Sequence, residues 1–187
     1  MKIFKLSFGS NDYEWLQPLR PLSYDEMHSF DGRSHLKDWK PIKVKKMEPD
    51  KDQPKNLPLG DAPNLSFAPA FSRKAKDALY NLIKDDVEIL NLDCNDGEYY
   101  CINIIKVLDV IDRKKSEYKT FSDGKRIMRF IRYSFKENSI IEKANIFKII
   151  DHKCSNSPFV SEEFKKCVED NKLEGFVFEE IWDSEKD

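Results

Sequence analysis

LDCNDGEYYCIN, residues 92–103, decides the fold. Asp96-Gly97 can fill the two positive-φ positions of a type I′ turn, and apolar runs flank it, so the stretch predicts a β-hairpin. With the turn there, Cys94 faces Tyr99 and Cys101 faces Leu92. The upstream arm is a strand over Val87–Cys94. Downstream, residues 98–108 are apolar on both faces, with Tyr99, Cys101, Ile105 and Val107 on one and Tyr100, Ile102, Ile104 and Leu108 on the other. A strand covered on both sides belongs inside a sheet.

Working outward, Ser72 caps a helix in which Ala75, Ala78, Leu79, Leu82 and Ile83 recur at the spacing of one buried face. After the hairpin, residues 109–116 form a charged connection. Residues 117–121 and 126–136 bracket Ser122-Asp123-Gly124 and predict a second hairpin. Residues 145–150 read as a strand. Ser161 caps a second helix, with Glu162 and Glu163 in its first turn where carboxylates complement the helix dipole. Phe164, Cys167 and Val168 form its inward side. Gly175 opens a last strand, residues 176–182, with Phe176 and Phe178 toward the core and a polar tail behind it.

The N-terminal side differs. Residues 1–8 alternate as a short strand, and eight of the nine prolines then fall within residues 9–70. Proline disfavours helix interiors and central strands, so this is an extended region with at most short strands, such as residues 42–47. Residues 48–56 (EPDKDQPKN) read as a mobile loop. The fold class is therefore α+β: a mainly antiparallel sheet of hairpins, two principal helices and an extended Pro-rich N-terminal region. Residues 1–70 pack on a core of residues 71–187, as one structural unit.

The 187 residues carry a net charge of −2, which sets up no global field toward nucleic acid or an anionic membrane. The charge is segregated along the chain: +2 over residues 1–60, −5 over 61–112, +7 over 113–153 and −6 over 154–187. These are solvated faces that pair with one another, or a sign-segregated surface that steers a charged protein partner. No stretch approaches the roughly 20 apolar residues of a membrane span. The first residues lack the apolar core of a signal peptide, so a cytoplasmic location is expected. Cys94, Cys101, Cys154 and Cys167 form no CxxC and read as small hydrophobes.

Chemistry is sparse. His28, His35 and His152 show no HxxxH or HExxH spacing, so no metal is expected. There is no GxSxG, no GxxxxGK[ST] and no GxGxxG, so neither a nucleophile elbow nor a phosphate cradle is present, and no cofactor is expected. Glu179 and Glu180 are strand neighbours and point to opposite faces. Arg126, Arg129 and Arg132 interleave with Met128, Phe130 and Tyr133, an arrangement that can bind single-stranded nucleic acid. The alternation is imperfect, and core aromatics with outward or paired arginines describe it better, so nucleic acid is not the expected partner. Asp31 and Trp39 sit in SFDGRSHLKDWKP, where a Trp among charges can anchor a partner or pin the arm to the body.

Four blocks carry a resemblance: FDGRSHLKDWKP (30–41), LDCNDGEYYCINIIKVLD (92–109), KRIMRFIRYSF (125–135) with IFKI (146–149), and FVSEEFKKCVEDNKLEGFVFEEIW (159–182). In this order and spacing they resemble immunity-protein family eleven of bacterial polymorphic toxin systems, over roughly residues 28–182. The resemblance implies an α+β, non-enzymatic cytoplasmic antidote that binds a cognate toxin domain and blocks it. No toxin-binding residue is carried over from the family. On charge, a basic toxin would meet the acidic segments 85–98 or 162–185, and an acidic one would meet 113–136. The reading leans to the acidic C-terminal surface. The candidate partner-binding residues are Asp31, Trp39, Glu179, Glu180 and Asp183. The alternative is a small-molecule-binding domain or enzyme whose site is assembled from distant residues.

Overall fold

The computed structural model describes residues 1–8, 12–47, 57–136 and 141–186. The chain begins with β1 (Lys2–Phe8), β2 (Leu16–Pro18), α1 (Tyr24–His28) and β3 (Ile42–Lys46). Then come β4 (Ala70–Ser72), α2 (Arg73–Ile83), β5 (Val87–Cys94), β6 (Tyr99–Ile104) and β7 (Val107–Leu108). The ribbon strands β8 (Glu117–Thr120) and β9 (Ile127–Arg132) follow, and then β10 (Ile146–Ile149), β11 (Phe159–Ser161), α3 (Glu162–Asp170) and β12 (Phe176–Asp183). Residues 48–56, read as a mobile loop, lie outside the described residues.

The architecture is α+β and mainly sheet. One sheet has the order β12-β1-β11-β10-β7 and the other β2-β3-β5-β6-β4; among the described residues β8 and β9 pair only with each other. Both large sheets are mixed: β10 runs parallel to β7 and β3 parallel to β5, and the remaining pairs are antiparallel. The N-terminal strand β1 lies between β11 and β12.

Helix starts follow the sequence. Ser72 accepts from Ala75 N and Ser161 from Phe164 N, which satisfies one orphan donor of each helix. Ala75, Leu79 and Ile83 of α2 and Phe164 and Val168 of α3 are buried between the two sheets, against Phe4 and Leu6 of β1 and Ile102 and Ile104 of β6. The outer face of the second sheet is closed by the N-terminal region, through Leu16, Phe30, Leu65 and Phe67 over Leu90 and Cys101. The outer face of the first is closed by Val110, Ile111, Phe135 and Ile141 over Phe147, Phe159 and Trp182. Three cores thus cover both sheets on both faces.

Three local expectations change. Among the described residues only Lys172 is a non-glycine with positive φ, so Asp96 does not take the first position of a type I′ turn. Gly97 alone has φ of 150°, and the connection is the longer loop 95–98. Its register places Cys101 opposite Leu90 rather than Leu92. The reason is that the end of β5 leaves β6 and pairs with β3 (Leu92 with Ile42, Cys94 with Val44), while Asp96 Oδ2 accepts from Lys46 N. Residues 98–108 are two strands, not one, because Ile105 N and Lys106 N both turn aside to the carbonyl of Asp86. The chain thereby crosses from β6 in one sheet to β7 in the other. Finally, α1 is a helix in the Pro-rich region, closed by a capping box between Ser23 and Glu26.

Candidate interaction surface

The acidic C-terminal edge is built on β12, an edge strand of the first sheet. Its pairing with β1 shifts between Ile3 opposite Trp182 and Phe4 opposite Glu180, so Ile181 is a bulge residue. Glu180 Oε2 lies 3.0 Å from Lys2 Nζ, and Oε1 lies 3.5 Å from Lys186 Nζ. The hydrogen bond from Lys2 holds its carboxyl below the usual range. Asp183 is buried; it accepts from Glu185 N at 3.1 Å and pairs with Lys186 at 3.2 Å. That backbone hydrogen bond is the main cause holding its carboxyl low. Glu179 is exposed. Glu180 and Asp183 therefore share one lysine-neutralised network.

Asp31 and Trp39 lie apart from that network, in contacts that hold the N-terminal region on the body. Asp31 accepts from Arg33 Nε at 2.8 Å and pairs with Lys153 at 3.1 Å. The Arg33 guanidinium, first among its partners, holds its carboxyl well below the ordinary value, against the effect of burial. Trp39 Nε1 donates to the Asn91 carbonyl at 2.9 Å, and its ring meets Phe30 edge-on at 6.3 Å.

The ribbon of β8 and β9 was the less favoured surface in the sequence, and its construction is distinctive. Tyr118 packs edge-on to Phe130 at 5.8 Å, and Phe130 stacks on Tyr133 at 4.8 Å and meets His152 at 5.6 Å. That aromatic row fastens the ribbon to the body. At its neck Ser116 Oγ donates to the Ser134 carbonyl and accepts from Ser134 N, and Ile111 bridges Phe135. The imperfect alternation of β9 arises from two register shifts. Glu117 faces Arg132 but Tyr118 faces Phe130, and Lys119 faces Arg129 but Thr120 faces Ile127. Ile131 and Met128 are left as bulge residues, 59% and 47% exposed. The arginines face outward or pair: Arg126 bonds Asp123 at 2.8 Å and Arg132 bonds Glu117 at 3.2 Å.

Two hollows flank the ribbon. An open groove of about 1070 Å³ runs between it and residues 150–155, and its cations include Arg113, Lys125, Arg126 and Lys153. A shallow depression of about 240 Å³ joins Arg132 and Tyr133 at the ribbon base to Glu180 and Asp183. The exposed bulge residues and the opposed pair Lys119 and Arg129 escaped sequence reasoning; the broken alternation in KRIMRFIR was the one available signal.

Among the described residues no three His, Cys, Asp or Glu side chains group as a metal would need, and no helix is long and apolar enough to cross a membrane. The comparison with curated proteins gives no match. A family model described as the immunity protein family (Imm11) matches residues 85–183, more than half of the chain. That match runs from just after α2 through the ribbon to β12, and the chain belongs to the Imm11 immunity protein family.

Proposed function

We propose that the protein is a cytoplasmic immunity protein that binds a cognate bacterial polymorphic toxin domain and neutralises it by occlusion, with no catalytic step of its own. The membership carried by residues 85–183 is the observation on which this rests. The surface is consistent with it. An open groove of about 1070 Å³ lies beside the ribbon, a shape suited to a protein face. Segregated charge, with +7 over residues 113–153 and −6 over 154–187, suits steered association. Raising salt should then slow association more than it speeds dissociation.

The test is co-expression with the toxic C-terminal domain encoded by the gene immediately upstream. Rescue of growth and copurification as a stable complex support the reading. Unrelieved toxicity with no complex refutes it for that pair.

A further inference from the structure

We infer that the toxin contacts this protein at the bulged ribbon, through an acidic surface with an apolar patch that covers Lys119, Met128, Arg129 and Ile131. The inference rests on the immunity reading and names the face and the chemistry of its partner.

The first argument is charge. Residues 113–136 hold nine Lys and Arg against two Asp and Glu, a net of +7. Those two acids are already used: Asp123 by Arg126 and Glu117 by Arg132. Lys119 and Arg129 stand directly opposite each other on the ribbon, and neither has a carboxylate partner among the described residues. Like charges placed directly across a strand pair destabilise it. A pair kept at that cost is satisfied when an external carboxylate sits between the two cations.

The second argument is exposure. The bulges leave Met128 and Ile131 exposed on the same strand as Arg129; Met128 lines the groove with Arg126 and Lys153, and Ile150, which also lines it, is 53% exposed. Nothing in the fold requires this, since the aromatic row of Tyr118, Phe130 and Tyr133 already anchors the ribbon. Apolar anchors rimmed by charges of one sign form a protein-binding patch. A second copy of this chain is a poor occupant, because Glu180 and Asp183 on its acidic edge are already paired with Lys2 and Lys186. A single nucleic-acid strand would want free rings to stack on; Phe130 is packed between Tyr118 and Tyr133, and of the two partly exposed rings Tyr118 packs edge-on to Phe130 while Phe121 already carries the Arg126 guanidinium at 5.2 Å.

The experiment measures affinity of the full chain for the upstream-encoded toxin domain, bearing a substitution that abolishes its toxicity. It compares wild type with Lys119→Glu, Met128→Asp and Glu179→Lys, alongside thermal denaturation. Lys119→Glu replaces a repulsive cross-strand pair with an attractive one, so the ribbon should hold or gain stability while binding weakens roughly tenfold or more. Met128→Asp should weaken binding by roughly tenfold or more, and Glu179→Lys should leave it within about twofold. Binding unchanged by Lys119→Glu and Met128→Asp, or lost on Glu179→Lys alone, overturns the ribbon and leaves the immunity reading standing. No binding by wild type overturns both. A dimer dispersed by Lys119→Glu, or salt-sensitive capture of a poly-dT oligonucleotide lost with it while toxin binding persists, also overturns the inference.

Discussion

The carboxylate of Asp86 accepts the backbone N–H of Asn145 at 3.2 Å, tying the end of α2 to the start of β10. The same residue receives Lys106 Nζ at 2.7 Å, and its carbonyl receives Ile105 N and Lys106 N where the chain changes sheets. Asn145 continues the chain of bonds, donating to the Leu82 carbonyl and accepting from Ser161 Oγ at 2.8 Å. A buried carboxylate and an amide thus hold together α2, both sheets and the cap of α3. Asp86→Ala should take the acceptor from Lys106 Nζ and Asn145 N, leave the backbone carbonyl's bonds in place, and cost about 2–3 kcal/mol. Urea denaturation checks this: the midpoint should fall, with unfolding still a single transition.

Ser161→Ala removes less from the same neighbourhood. It frees Phe164 N and Asn145 Oδ1 but leaves α3 packed through Phe164 and Val168. The expected loss is about 1–2 kcal/mol. Thermal denaturation should show it, and Ser161→Asp should recover much of the loss by restoring an acceptor at the cap.

Lys148 is 2% exposed and donates to the Phe30 carbonyl, joining β10 to the N-terminal region. Burial pushes its ammonium down from 10.5 to about 8. Between those values the unfolded chain holds a proton that the folded chain has released, so stability rises with pH there. Buried Cys101 opposes this above its ordinary value of 9.0, because burial pushes its thiol up and the unfolded thiol ionises first. The gain is therefore confined to about pH 7.5–9 and amounts to roughly 1 kcal/mol. Chemical denaturation across that range should show it, and Lys148→Met should flatten it.

Phe130→Ala cuts the aromatic row between Tyr118, Tyr133 and His152. The ribbon contributes little to the three cores, though Phe130 is itself packed against the third. Global stability should fall by about 1–3 kcal/mol, below the usual cost of deleting a fully buried Phe. Limited proteolysis should cut within residues 117–132 much faster than in wild type, while α2 and α3 stay protected.

What the sequence made legible follows from the range of the interactions involved. Ser72 and Ser161 caps and the α2 face are local, and they appear where spacing placed them. The capping box at Ser23 and Glu26 is equally local, but the helix it opens is only five residues long and lies among prolines, so no apolar periodicity marks it. The loop 95–98 went otherwise because β3, about fifty residues upstream, captures the end of β5 and relieves the turn of its need for tightness. The break at Ile105 needed the Asp86 carbonyl as a distant acceptor. Asp31, Trp39, Glu180 and Asp183 could be picked out as polar or aromatic residues in charged surroundings. Their pairing with Arg33, the Asn91 carbonyl, Lys2 and Lys186 depends on tertiary neighbours that spacing does not reveal. The two bulges of the ribbon left a trace only as faulty alternation in β9.

A ribbon that, among the described residues, pairs with neither large sheet separates inheritance from invention. Lys119, Met128, Arg129 and Ile131 can be exchanged without disturbing the contacts that fold the body. On the proposed immunity reading, a lineage facing an altered partner could retarget the protein by rewriting a few side chains on this one ribbon, keeping the scaffold beneath it intact.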